Sequence, residues 1–99
     1  MEVKINTKNG ELNDAVKETI ESKVSKLPRF FERTTAIQVI ADLQHEPKVE
    51  IILSAEGASD FFASDMGTNV IAALDTTIAK MEQQLRKHKE KITEHRDRH

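Results

Sequence analysis

The sequence predicts an α+β fold of order β-α-β-β-β-α, one four-stranded sheet with two helices packed on one face. Two segments, residues 12–27 and 71–92, repeat apolar residues at steps of three and four, which is helical periodicity. Shorter runs at residues 2–7, 35–44, 49–57 and 61–65 alternate or concentrate apolar and β-branched residues between turn signals, as strands do. Elements that each bury one side are satisfied when both helices cover one sheet face, leaving the opposite face the more polar one.

The first strand is "EVKINT", with Val3 and Ile5 on one side and Glu2, Lys4 and Asn6 on the other; "KNG" (Lys8 to Gly10) ends it as a turn. In "LNDAVKETIESKVSKL", Val16, Ile20, Val24 and Leu27 form the apolar side. Asn13 is its expected N-cap. Asp14, Glu18 and Glu21 lie toward the positive end of the helix dipole, Lys23 and Lys26 toward the negative end. Pro28 stops the helix, and "RFFER" is expected to turn Phe30 or Phe31 into the core. "TAIQVIADLQ" alternates again, "HEPK" is a turn, "VEIILSAEG" is the next strand and "FFASD" a short last one after the hairpin turn "EGASD". Of Phe61 and Phe62, one is expected in the core and the other exposed. The long helix follows "MGT" with Ile71, Leu74, Ile78, Met81, Leu85, His88 and Ile92 on its apolar side. Residues 94–99 are expected to fray, and residues 1–99 to form one domain.

Composition excludes several function classes. The 99 residues include no Cys, Trp or Tyr, so disulfides, thiolate metal sites, a Cys nucleophile and an extended base-stacking platform are not expected. No apolar run is long enough for a membrane span, and "MEVKINTKNG" lacks the apolar core of a signal peptide; a cytoplasmic protein is expected. There is no Gly-rich phosphate loop, Walker pattern or nucleophile elbow. Asp60, Asp65 and Asp75 have plain roles in a turn, before a helix and on a helix surface. His88, His95 and His99 share a helical spacing, but no carboxylate is placed to complete a metal site. His88 on the apolar side reads as a core-edge residue holding a hydrogen bond. Neither enzymatic activity, nor a metal, cofactor or small-molecule substrate is expected.

Charge distribution is the informative feature. Residues 1–78 hold 8 Lys/Arg and 13 Asp/Glu, whereas residues 79–99 hold 7 and 4. On the long helix Lys80, Gln84, Lys87 and Lys91 form one polar stripe, and Arg86 and Lys89 flank it. Lys23 and Lys26 neighbour each other on the first helix, with Arg29 and Arg33 just beyond. Side by side, the two helices would gather these cations where a polyanion docks by displacing counterions. The plainer alternative is a solvated face whose cations suit helix C-termini.

With these segments placed, the chain resembles the short ribosome hibernation factors of bacteria, the hibernation promoting factor and the ribosome-associated inhibitor. The resemblance spans nearly the whole chain and rests on "LNDAVKETIESKVSKLPRFFER" and "FFASDMGTNVIAALDTTIAKMEQQLRKHKEKI". The second includes the Ala-Ala-x-Asp opening at residues 72–75, Lys80 and the basic run from Lys87 to Lys91. Where the family usually carries an aromatic residue at the start of the long helix, this chain has Ile71.

The resemblance implies a fold similar to double-stranded RNA-binding domains. It also implies a factor that occupies the messenger and transfer RNA channel of the small ribosomal subunit and inhibits translation in stationary phase or stress. Carried over by position, Lys23, Lys26, Arg33, Lys80, Lys87, Lys89 and Lys91 are the expected ribosomal RNA contacts. Arg29 and Arg86 join them on charge and location. Because the sequence reaches only His99, the short promoting type is expected, monomeric off the ribosome and a candidate for promoting ribosome pairing. The rival expectations are a generic double-stranded RNA binder and a protein-interaction module using the open sheet face or an edge strand.

Overall fold

The computed structural model describes the backbone of residues 1–97 and the side chains of residues 1–89. The elements are β1 (Glu2–Lys8), α1 (Asp14–Val24), a 3-10 turn (Leu27–Arg29), β2 (Thr34–Asp42), β3 (Lys48–Ala55), β4 (Phe61–Met66) and α2 (Val70–Asp97). The α+β order expected from the sequence is the one observed. The strands lie in the order β1-β2-β3-β4. β1 pairs with β2 in parallel, and β2–β3 and β3–β4 are antiparallel.

That pairing sets the direction of both helices. A parallel neighbour requires a crossover connection, which α1 supplies. Two antiparallel steps bring β4 back to the direction of β1. Each helix returns along the sheet against the strand before it, so α1 and α2 run the same way and their C-terminal ends emerge at one end of the molecule. Contacts between them rise together in sequence: Lys23 meets Asp75, Phe30 meets Arg86, and Phe31 meets His88.

α1 begins where expected, with Asn13 Oδ1 accepting from the Val16 amide at 2.9 Å. It ends at Val24, before the expected stop, and the following 3-10 turn still buries Leu27. Both Phe30 and Phe31 pack partly buried against the core. α2 starts at Val70, with Asn69 Oδ1 accepting from the Ala72 amide at 2.9 Å. β3 begins one residue earlier than expected and β4 continues to Met66.

The core is one layer between sheet and helices. Ile37, Val39, Val49, Ile51 and Leu53 face Ile20, Val24, Leu74, Met81 and Leu85. The buried side of α2 is turned from the expected one. Ala73 and Thr77 are fully buried, while Ile71 and Ile78 are only partly so. Gly67 explains the rotation. A Cβ there would lie 2.6 Å from the Ala73 nitrogen and 3.0 Å from its Cα, so the chain before α2 passes directly against the helix backbone, and a small residue must sit at the contact. Thr77 satisfies its buried hydroxyl on the Ala73 carbonyl oxygen at 2.7 Å, with the Val49 oxygen at 3.2 Å bridging helix to sheet.

The open sheet face is less polar than expected. Its charged residues Lys4, Lys8, Asp42, Lys48 and Glu50 surround Ile40 and Ile52, with Phe62 52% and Met66 47% exposed. Phe62 is thus the exposed partner of the pair, and Phe61 packs against the core.

Gly67→Ala is expected to lower the free energy of unfolding by about 1–3 kcal/mol, because a fixed helix backbone and no flexible side chain opposes the added methyl. Urea denaturation monitored by circular dichroism measures it.

Candidate functional site

Helix polarity gathers the cations at one end. The C-terminal turn of α1, the 3-10 turn and the middle of α2 meet there, and both helix dipoles present their negative ends in that direction. The contact is built from aromatic rings. Phe31, Phe61 and His88 form a triangle of edge-to-face contacts with centroids 5.6, 5.5 and 5.3 Å apart. His88 packs on these two rings in place of the hydrogen bond expected from the sequence. Beside this triangle the Arg86 guanidinium carbon lies 5.0 Å from the centre of the Phe30 ring, a cation–π contact that holds the charge over the 3-10 turn. None of these partners is near Arg86 or His88 in sequence.

The cations of α2 whose side chains are described fall on two flanks of the helix. Arg86 and Lys89 share the side of the helix that carries Asp75, toward α1. Lys23 bridges from α1 to Asp75 at 2.9 Å. On the opposite flank, Lys80 and Gln84 reach over the outer edge of β4. Lys80 Nζ lies 3.1 Å from Asp65 Oδ2 and 3.2 Å from the Ser64 oxygen, and Gln84 Nε2 donates to the Phe62 oxygen at 2.7 Å. Those two carbonyls alternate along the strand, so the side chains occupy hydrogen-bonding positions that an added strand would need. Asp65 lies within β4, in the short strand expected before the helix. The Met66 amide, followed by Lys80, holds its carboxyl below the ordinary 3.8. It is therefore charged at neutral pH.

Lys26, Arg29, Arg33, Arg86 and Lys87 have no carboxylate partner among the described residues, and all five are exposed. Arg33 lies beside the β3–β4 turn, where Gly57 adopts φ +73° and a Cβ would meet the guanidinium at 3.2 Å. Lys89 is also exposed. The side chain of Lys91, like those of His95 and His99, lies outside the described residues. Among the described residues, no group of three or more His, Asp or Glu side chains could hold a metal ion, and no helix is long and apolar enough to cross a membrane.

A family model described as Sigma 54 modulation protein / S30EA ribosomal protein matches residues 3–93. The chain belongs to this family. It is 36% identical over 95 residues to the ribosome hibernation promoting factor of Azotobacter vinelandii, covering 95% of this chain and 88% of that protein. The Escherichia coli K12 protein of the same name is 28% identical over 95 residues, covering 96% of this chain and all of that one (100%). In three dimensions the family member resembles a ribosomal subunit interface protein from Coxiella burnetii, with TM-score 0.83 and 20% identity over 91% of this chain and 99% of that chain. The N-terminal domain of Thermus thermophilus Protein Y gives TM-score 0.79 at 22% identity, over 89% and 99%. The family expected from the two helical segments is therefore the family found. The structural likeness shows that the fold is shared.

Two outcomes check this geometry. His88→Ala removes two edge-on ring contacts and is expected to cost about 1–3 kcal/mol of stability, read from the thermal midpoint. The Asp65 contribution is pH-dependent with a definite sign. A carboxyl depressed on folding stabilises above its unfolded value, and the stabilisation is lost as pH falls through the folded value. The stability difference between wild type and Asp65→Asn should therefore be present at pH 6 and shrink once the pH drops below 3.8, in urea titrations across that range.

Proposed function

We propose that this chain is a non-enzymatic ribosome hibernation factor that binds ribosomal RNA of the small subunit through the cationic end of its two helices. The supporting observation is the set of five exposed cations without carboxylate partners among the described residues, Lys26, Arg29, Arg33, Arg86 and Lys87, carried by the end of the molecule toward which both helices run. Membership of a family that includes ribosome hibernation promoting factors supports the choice of partner. An overall acidic chain is no obstacle, because phosphates respond to the local field of one face.

The mechanism is occlusion. A rigid wedge of sheet and helices, held by phosphate and ribose contacts along the helices, fills the messenger and transfer RNA channel and leaves no room for either. Recognition reads the shape of folded RNA, since exposed Lys and Arg on a convex helix meet phosphates and riboses more readily than base edges. Lys89 and Lys91 complete the proposed contact set, with Lys23 and Lys80 at its margin, each still held by its carboxylate partner. The factor acts in the cytoplasm during stationary phase or stress and is monomeric off the ribosome. A strand-adding protein module is disfavoured at β4, whose outer carbonyls at Phe62 and Ser64 already accept from Gln84 and Lys80.

Sedimentation with purified small subunits tests the proposal. With about five phosphate contacts, affinity should fall by about 10²–10³ between ~50 and ~200 mM salt. The triple substitution Lys26→Glu, Arg29→Glu and Lys87→Glu should abolish co-sedimentation while the thermal midpoint stays nearly unchanged, because all three side chains are solvated. Normal binding by that variant would overturn the assignment of the face.

A further inference from the structure

Two carboxylates stand among the proposed contacts. Asp75 grips Lys23 at 2.9 Å and Asp65 grips Lys80 at 3.1 Å. Neither pair is a buried structural bridge: the Lys23 and Asp75 side chains are 35% and 55% exposed, and those of Lys80 and Asp65 51% and 30%. Exposed pairs of this kind add little to folding, so stability is a poor reason for their placement. Their position on the surface is more telling. The pairs lie on opposite flanks of α2, one toward α1 and one over the β4 edge. The open cations Arg86 and Lys87 lie farther along the same helix.

We infer that Asp75 and Asp65 are specificity-determining residues that set which RNA surface the cationic end accepts. The inference rests on the RNA-binding reading above. Each carboxylate cancels one cation and presents a negative charge where a phosphate running along α2 would pass. A regular duplex laid along the helix places phosphates against these acids as well as against the open cations. A folded RNA surface whose phosphates coincide with the open cations alone docks without that repulsion. Discrimination of this kind works by penalising the wrong partner and adds nothing to the right one. It also suits a protein that must ignore abundant RNA helices elsewhere.

The test compares two probes, a blunt RNA duplex of about 20 base pairs and purified small ribosomal subunits. Wild type, Asp75→Asn, Asp65→Asn and the double variant are titrated at several salt concentrations. Freeing one cation should tighten duplex binding about three- to tenfold and steepen the salt slope by about 0.9 per cation. Subunit affinity should change by less than about twofold, so that the preference narrows. Glu46→Gln changes net charge by the same amount in the β2–β3 turn, away from the cationic end, at a residue with no ion pair among the described residues, and should leave the preference unaltered. An equal rise for both probes, an equal effect of Glu46→Gln, or no rise in duplex affinity would overturn the inference. If wild type binds neither probe at low salt, the RNA-binding reading itself fails, an outcome distinct from a wild type that binds while the Asp variants behave identically to it.

Discussion

The parallel pairing of β1 with β2 is the constraint on which the rest of the molecule depends. It forces the chain across the sheet through α1 and fixes the direction in which α1 returns. The two antiparallel steps that follow turn β4 the same way as β1, so α2 is parallel to α1. Had β1 paired in the opposite sense, the basic end of α1 would lie at the far end of the sheet from Arg86 and Lys87. The convergence of charge thus follows from strand direction. The triangle of Phe31, Phe61 and His88 secures it by tying the turn after α1, the start of β4 and the middle of α2 at one point.

α2 serves three surfaces at once. One side buries Leu74, Thr77, Met81 and Leu85 over β3 and β4. A second faces α1, where Asp75 and Arg86 engage Lys23 and the Phe30 ring. A third leans over the β4 edge with Lys80 and Gln84. The cations therefore differ by partner. Lys23 and Lys80 meet carboxylates, and Lys80 a strand carbonyl as well. Arg86 and Lys87 are exposed and meet no carboxylate among the described residues. Long side chains on one helix can divide their labour this way because each reaches several ångströms beyond its own turn.

Much of this was legible in the chain. Steps of three and four located both helices, Asn13 announced the first cap, and turn signals separated the strands. Other features were hidden because they depend on residues distant in sequence. The buried side of α2 turned toward Ala73 and Thr77 because Gly67 lets the chain pass against the helix backbone, a contact periodicity cannot register. Asp65 was placed in the last strand before the helix, but nothing nearby in sequence revealed that Lys80 waits across from it. His88 was recognisable as a core-edge residue, but its ring partners lie 57 and 27 positions away. The polar face of the sheet hid Phe62 and Met66 for the opposite reason. Alternation assigns a side to each residue and says nothing of how much a neighbour covers it.

The sequence by itself determined the order and kind of the elements, the single buried sheet face and the concentration of positive charge toward its end. These are local properties, set by the period of apolar residues and by which residues tolerate a turn. Only the tertiary structure decided which cations are paired with acids and which are not, because that depends on atoms brought within about 4 Å by strand pairing and helix direction. Lys23 and Lys87 are indistinguishable as letters. One meets Asp75 across the helix–helix contact and the other meets no carboxylate among the described residues, and proximity of that kind exists only once the chain has folded.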